Sequence, residues 1–371
     1  MGDRRGKNAC RVRRFAQRPV ISRILPDQMQ DGNPPVKPLV SILIPAYNAA
    51  EWLADTLRSA LAQTWERKEI ILVDDGSTDQ TVAIARRFEC DTMRVFTQEN
   101  RGAAAARNKA FSLSHGDYIQ WLDADDLLDP DKVSKQMQVA QELPNRKTLI
   151  SGEWARFMYR VNRAKFIPTG LWCDLSRAEW LMRKMEENVF MQTATWLVSR
   201  ELTEAAGPWD TRLLGDDDGE YFCRVLMASE GVRFVSGAKV YYRQPGPNSL
   251  SYIGSSDDRK RDAQWISMKL HIDYLRSLDD SNRARSACQQ YIKDWMRCYY
   301  PDRMDIFEQA SVIAKELGGQ LNPPKLSWKY AWIDSLFGRH CARRIQASLS
   351  LLKDTVTNRL DRALYSLEGH R

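Results

Sequence analysis

"YIQWLDADDLLDP", Tyr118 to Pro130, runs a short and mostly apolar stretch into Asp123, Asp125 and Asp126, and then into an Asp-Pro pair at Asp129 and Pro130. The apolar half has the length and residue types of a strand buried inside a sheet. The Asp-Pro pair reads as the N-cap and first residue of a helix, because proline suits the one position where a missing N–H costs nothing. This strand-to-helix connection therefore carries three carboxylates. In an open parallel sheet, that is the edge where ligands bind.

Working outward, the same alternation repeats upstream. "LVSILIP" (39–45) is a continuous apolar run rich in branched residues, as expected of a strand covered on both faces. A helix follows that places Leu53, Leu57, Ala60 and Leu61 on one side, with Trp52 beside them. "EIILVD" (69–74) is a second strand, and Ser77 with Gln80 forms a capping box for a helix through Phe88. "RVFTQ" (94–98) and the alanine-rich "GAAAARNKAFSL" (102–113) supply a third strand and a third helix. Strand and helix alternating at this pitch predict an α/β domain with a mostly parallel sheet flanked by helices.

Downstream the pattern changes. Residues 150–250 mix aromatic-rich segments with an amphipathic helix near Glu220–Ser229 and a strand-like "VRFVSGAKVYYR" (232–243). After about residue 258 the chain reads as helical, and its last stretch sets Ile345, Leu349, Leu352, Val356, Leu360 and Leu364 at three- and four-residue steps. Arg343, Arg344, Lys353 and Arg359 fall off that stripe. The stripe predicts packing against the protein's own domain or a partner helix, with a membrane surface the lesser alternative. The expected organisation is a basic irregular arm at 1–37, an α/β domain at 38–255 and a helical extension at 256–371.

Composition narrows the class. The 371 residues are 43% hydrophobic and 28% charged, which describes a soluble globular chain. No apolar run of about 18 residues is present to cross a bilayer as a helix. "MGDRRGKNACRVRRFAQRPV" is basic without the apolar core of a secretory signal, which predicts an uncleaved, cytoplasmic protein. Gly6 stands where myristoylation needs Ser or Thr. Seven cysteines without a C-x-x-C pair predict reduced thiols. The net charge of +7 lies partly in the arm and predicts a solvated segment ahead of contact with anionic lipid or non-specific nucleic-acid binding, with no specific nucleic-acid site.

Candidate chemistry gathers at strand ends. Asp74 and Asp75 close the second strand, and Asp123 to Asp126 close the fourth, so both sets face one crevice. Asp123 and Asp125, one residue apart, present oxygens suited to a hard divalent cation that also bridges phosphates. Acidic turns before helices are common in their own right, stabilised by the helix dipole, and D-x-D alone is a weak sign. The small residues of "NRGAAAARN" let a ligand approach the third helix, which also carries Arg107 and Asn108.

Four segments, "VSILIPAYNAAEWLADTLRSALAQT", "EIILVDDGSTDQT", "NRGAAAARNKA" and "GDYIQWLDADDLLDPDKV", resemble in order and spacing the family 2 glycosyltransferases, inverting enzymes of GT-A fold. The resemblance is strong over about 39–135 and weaker to about 245. It implies a Rossmann-like GT-A domain, with a nucleotide-sugar-binding half at 38–135 and an acceptor-binding half at 136–255. Pro45, Ala46 and Tyr47 are implied to line the nucleotide pocket, Asp74 to hydrogen-bond uracil, and Arg107 to approach the donor diphosphate. Asp123 and Asp125 match the D-x-D motif, with Asp125 the direct ligand of Mn2+ or Mg2+. The family's catalytic base sits in an acidic pair at the start of an amphipathic helix. "WDTRLLGDDDGEYFCRVLMASEG" fits that place, with Asp at 216, 217 and 218, and the register counted from Arg224 selects Asp218 first and Asp217 second.

The implied function is metal-dependent transfer from a nucleotide-sugar donor, most simply a UDP-sugar, to a hydroxyl of a glycan or lipid-linked acceptor in polysaccharide or glycoconjugate synthesis. Peripheral contact with the inner face of the membrane would suit a lipid-linked acceptor. The Q-x-x-R-W pattern of processive synthases is missing, and "YYRQPGPNSLS" lacks the histidine many relatives carry there. A nucleotidyltransferase of similar fold is the rival enzyme, but its glycine-rich loop is replaced by "PAYNAAEW". A non-catalytic nucleotide-sugar-binding module is the second rival. Among the tryptophans after residue 150, Trp154, Trp172, Trp196 and Trp209 are either acceptor platforms or, as for most large aromatics, core.

Overall fold

The strand at Val40–Ala46 is buried along its whole length, so it has no solvent face and needs cover on both sides. In the computed structural model, which describes residues 36–244, 257–325 and 331–367, it lies at the centre of a five-stranded sheet. The chain runs β1 (Val40–Ala46), α1 (Leu53–Leu61), β2 (Lys68–Asp74), α2 (Thr81–Arg86), β3 (Met93–Thr97), α3 (Ala103–Ser112) and β4 (Tyr118–Trp121). Then come β5 (Leu127–Leu128), α4 (Lys132–Glu142), β6 (Thr148–Phe157), β7 (Lys165–Phe166), α5 (Arg177–Glu186), β8 (Val198–Ser199), α6 (Arg200–Ala206), α7 (Asp217–Ala228) and β9 (Gly231–Arg243). Helices α8 (Asp258–Leu278), α9 (Asn282–Tyr299), α10 (Met304–Glu316) and α11 (Ala331–Leu367), the last broken at Gly338 with φ 78°, follow.

The first sheet has the order β3-β2-β1-β4-β8, parallel except for β8. Its alternation divides two cores. Ile42, Ile44, Ile70 and Leu72 pack with Leu53, Leu57 and Ala60 of α1 and Ala85 of α2. Leu43, Ile71, Val73, Ile119 and Trp121 instead join Ala104, Ala106 and Ala110 of α3. Each such aliphatic side chain contributes roughly 1.5–3 kcal/mol by leaving water. Ala46 stands opposite Asp74, and Leu43 opposite Trp121, so the acids that follow β2 and β4 emerge at one edge.

The second sheet runs β5-β9-β6-β7. Leu127 and Leu128, directly after the acidic loop, pair with Tyr241 and Val240 of β9, so that loop is pinned between the two sheets. Helices α8, α9 and α10 are not a separate layer. Trp265, Met268 and Ile272 of α8 and Tyr291 of α9 share one apolar cluster with Trp121, Trp196 and Tyr221. This is the α/β arrangement with a helical C-terminal region that the alternation predicts.

Two helix starts differ from expectation. Ser77 does not cap α2, because its hydroxyl accepts Asn48 N–H at 2.8 Å, while Asp79 accepts Thr81 N–H at 2.9 Å at the helix start. Helix α4 begins at Lys132 rather than Pro130. Gln63 donates to Asp129 O and Thr64 N–H donates to Pro130 O, holding those two residues in a turn ahead of the helix.

Among the described residues, no helix is long and apolar enough to cross a membrane, and Cys90, Cys223, Cys288 and Cys341 are free thiols. The basic arm up to Pro35 and the segment from Pro245 to Ser251 of "YYRQPGPNSLS" lie outside the described residues, as do the side chains of Arg343, Arg344, Leu352 and Lys353.

Candidate active site

The loop after β1 is tied to the loop after β2. Asn48, in a left-handed conformation at φ 47°, accepts Thr78 N–H at 2.8 Å, and Ala49 N–H donates to Thr81 Oγ1 at 2.7 Å. Pro45 and Ala46 are buried, with Ala46 in the apolar core, and Tyr47 is the exposed member of the trio. Asp74 is buried beside them. Its Oδ2 accepts Gly76 and Ser77 N–H, each at 3.1 Å, while Oδ1 is buried without a hydrogen-bond partner. Gly76 has φ 76°, and a Cβ there would lie 2.8 Å from Asn100 N, so the turn requires glycine. Asp75 acts differently. It accepts Gln98 Nε2 and the N–H groups of Arg101 and Gly102, which fixes the entry to α3.

Arg107 of α3 brings distant acids together. Its Nη2 donates to Asp123 Oδ1 at 2.9 Å and its Nη1 to Asp217 Oδ2 at 2.6 Å, with the guanidinium 4.4 Å from the Trp209 ring centre. Asn108 holds that ring in place by donating to Trp209 O and accepting Trp209 N–H. Burial opposes the charge on Arg107, but Asp217 and Asp123 outweigh it and hold the guanidinium firmly protonated.

The carboxylates after β4 have three different environments. Asp126 is fully buried and accepts Gln192 Nε2 and Arg243 N–H. Asp123 gives its Oδ1 to Arg107. Asp125 is half-buried, and burial first and the Asp123 charge second raise its pKa to about 6. Arg243 Nε grips the Asp125 backbone oxygen at 2.9 Å rather than its side chain. Gln192 and Arg243 stand out only once the chain is folded, since no local pattern marks them.

The three acids at the start of α7 also separate. Asp216 takes a left-handed conformation at φ 54° and turns its carboxylate to α8, where Gln264 Nε2 donates at 2.9 Å and Ser267 Oγ at 2.7 Å. Asp217 faces Arg107, and burial raises its pKa to about 6 despite that partner. Asp218 accepts the Thr193 hydroxyl at 3.1 Å, and burial followed by the Asp216 charge raises its pKa too. The geometry thus joins Arg107, Asp123 and Asp217 directly and sets Asp125 and Asp218 beside them in sequence. Thr193, Gln264 and Ser267 escape sequence reasoning. Trp196 and Trp209 are buried and Trp172 stacks on Phe234, whereas Trp154 packs against the partly exposed Phe190.

Comparisons with known proteins agree with this architecture. Residues 41–202 match the family described as Glycosyl transferase family 2. An uncharacterized glycosyltransferase of Rickettsia bellii is 39% identical over 140 residues, 36% of this chain, and the match spans only 20% of that relative's length. Glycosyltransferase GlyG of Streptococcus pneumoniae is 39% identical over 219 residues, covering 56% of this chain and 72% of the relative. Among solved structures, S. aureus TarS 1-349 shares the fold at TM-score 0.58 and 14% identity, over 75% of this chain and 80% of TarS 1-349. The same TarS fragment in complex with UDP-GlcNAc aligns at TM-score 0.54 and 15% identity, over 76% of this chain and 92% of its own. Mannosyltransferase PcManGT from Pyrobaculum calidifontis, in complex with GDP-Man and Mn2+, aligns at TM-score 0.50 and 18% identity, over 86% and 88%. The profile match, the long GlyG relationship and the shared fold place this chain in glycosyl transferase family 2.

Proposed function

We propose that the protein is a metal-dependent inverting glycosyltransferase that moves a sugar from a UDP-sugar to a hydroxyl of a glycan or lipid-linked acceptor. The observation that carries this reading is the Arg107 bridge. It draws the strand-end acids and the helix-start acids, 16 and 110 residues away from it, into one cluster. Residues 38–135 would hold the donor, 136–255 the acceptor, and the helices of 256–371 would brace both.

Asp74 supports a uracil base. One of its oxygens is consumed by the Gly76–Ser77 turn, and the other, buried without a partner, matches the single N–H that uracil offers at its edge. Guanine offers two adjacent donors and suits a carboxylate with both oxygens free. TarS is named in complex with UDP-GlcNAc and PcManGT with GDP-Man and Mn2+, so both nucleotides occur within this fold.

Asp123 and Asp125 fit a divalent cation. Burial and mutual repulsion raise Asp125, which is the condition a bound positive charge relieves. Among the described residues no group of three or more potential ligands is arranged to hold a metal alone, so donor phosphates would complete the shell. When bound, the cation supplies positive charge to the departing diphosphate. Asp218 acts as the base, because its partner among the described residues is a neutral hydroxyl, whereas Asp217 is tied to Arg107. The acceptor oxygen bonds to the anomeric carbon while Asp218 takes its proton, the sugar–phosphate bond breaks, and its electron pair leaves with UDP. Attack opposite the leaving group inverts the anomeric centre.

Calorimetry with UDP and GDP, with and without Mn2+, tests the donor half of the reading. Metal-dependent UDP binding that Asp125→Ala abolishes is the expected outcome. Failure of both nucleotides to bind under any metal condition would overturn it in favour of a module without this activity.

A further inference from the structure

Helix α11 is seated on the domain by its polar side. Asp361 accepts Arg160 Nε at 2.7 Å and Tyr159 N–H at 3.0 Å, Tyr365 lies 5.9 Å from the Tyr159 ring, and Arg362 lies 3.8 Å from Glu51. At 100° per residue, Asp361 and Tyr365 lie roughly 140° round the helix from the stripe formed by Ile345, Leu349, Val356, Leu360, Leu364 and Leu367. All six of these are exposed, from 36% at Ile345 to 81% at Leu367. A helix of a globular protein ordinarily turns such a stripe inward. This one turns it outward.

Charge selects the occupant of that face. By sequence, at 100° per residue, Lys353 and Arg359 flank the stripe while Asp354 and Asp361 fall on the far side, and the chain as a whole is +7. A second copy would bring like charge to like, whereas an anionic surface meets both the cations and the apolar stripe. We propose that α11 beyond its break at Gly338 lies flat on an anionic lipid bilayer with this stripe in the interface. Its seat on the domain connects to the candidate site. Tyr159 meets Trp52 edge-on at 5.1 Å, Arg243 lies 4.0 Å from the Trp52 ring centre, and the same arginine holds Asp125 O. The bilayer would thus present its lipids beside the strand-end acids.

The test is flotation of the full-length protein with phosphatidylcholine vesicles and with vesicles containing a quarter phosphatidylglycerol, without donor or acceptor, so its outcome is independent of any transferase activity. Binding to the anionic vesicles that falls at least tenfold in Leu349→Glu/Leu360→Glu is expected. Both sites are exposed, so the variant should keep the wild-type Tm. If it does not, a dye on Val356→Cys, blue-shifted by anionic vesicles while one on Ser366→Cys is not, serves instead. Three results overturn the proposal: no vesicle binding, binding that the stripe variant retains and Arg→Gln changes at Arg4, Arg5, Arg11, Arg13 and Arg14 remove, or a wild-type dimer in light scattering that the stripe variant dissociates.

Discussion

The acidic triplets at Asp123, Asp125 and Asp126 and at Asp216, Asp217 and Asp218 lie on different elements, yet each divides the same three tasks. One member is an anchor: Asp126 is held by Gln192 and Arg243, and Asp216 by Gln264 and Ser267. One is clamped by Arg107, Asp123 from the first triplet and Asp217 from the second. Among the described residues, the third, Asp125 or Asp218, makes no ion pair. The triplets differ in that third member, since Asp125 sits beside a charged neighbour and Asp218 beside the Thr193 hydroxyl at a helix start. Counting carboxylates therefore says little about which one works. Their partners decide it, and exchanging those partners should exchange the phenotypes.

The largest effect is expected at Asp218. Asp218→Asn should lower kcat by about 10³-fold, as for a lost general base, while leaving UDP affinity within about twofold. Asp217→Asn, which alters a clamped residue, should cost less. A reversed ranking would reassign the base to Asp217 and break the parallel between the triplets. Because burial raises the pKa of Asp218, the acid limb of the wild-type kcat profile should lie above the ordinary carboxylate range near 4.

Arg107→Met removes the shared clamp and strands two carboxylates in a buried site, with an expected loss of about 3–5 kcal/mol in urea unfolding. Arg107→Lys keeps the charge but not the fork that reaches both partners, so it should recover only part. Wild-type stability in the methionine variant would show that the bridge is incidental.

The anchors separate the triplets further. Gln264→Ala/Ser267→Ala leaves the half-buried Asp216 underpaired at a cost of about 1 kcal/mol, and frees the start of α7. Activity should fall through kcat with UDP affinity unchanged. Gln192→Ala, which loosens Asp126, should instead weaken metal-dependent UDP binding. If both variants shift the same parameter, the anchors serve general stability alone.

The sheet was legible because its signals are local. Apolar runs such as Val40–Ala46 declare burial on two faces, and the acids after β2 and β4 follow from where those runs stop. What escaped is long-range. Arg107 was a candidate, but nothing near it in sequence points to Asp217, and three identical aspartates in a row carry no register of their own. Only the left-handed turn at Asp216, fixed by a helix some 50 residues later, separates them. Ser77 shows the same limit, since a local capping pattern lost to a cross-loop bond with Asn48. The α11 stripe predicts packing against the domain or a partner helix, with a membrane surface the lesser alternative, and its exposure in the folded chain makes it a face turned outward.

The smallest effect distinguishes Asp125 most sharply. Its pKa is about 6 in the fold, above the ordinary value of 3.8, so the folded state binds that proton more tightly than the unfolded one. The stability gained from the proton is complete below the unfolded pKa and is lost as pH rises through 6. Without divalent cations, Asp125→Asn should therefore stabilise the protein by about 1–2 kcal/mol at pH 7.5, a Tm gain of a few degrees, and by close to nothing at pH 4. Added Mn2+ and UDP should raise the wild-type Tm and leave that of the variant unmoved, because a bound ligand stabilises only the state that can hold it. A variant destabilised at pH 7.5 without metal would mean that Asp125 is an anchor like Asp126, and the division of labour proposed for the first triplet would fail.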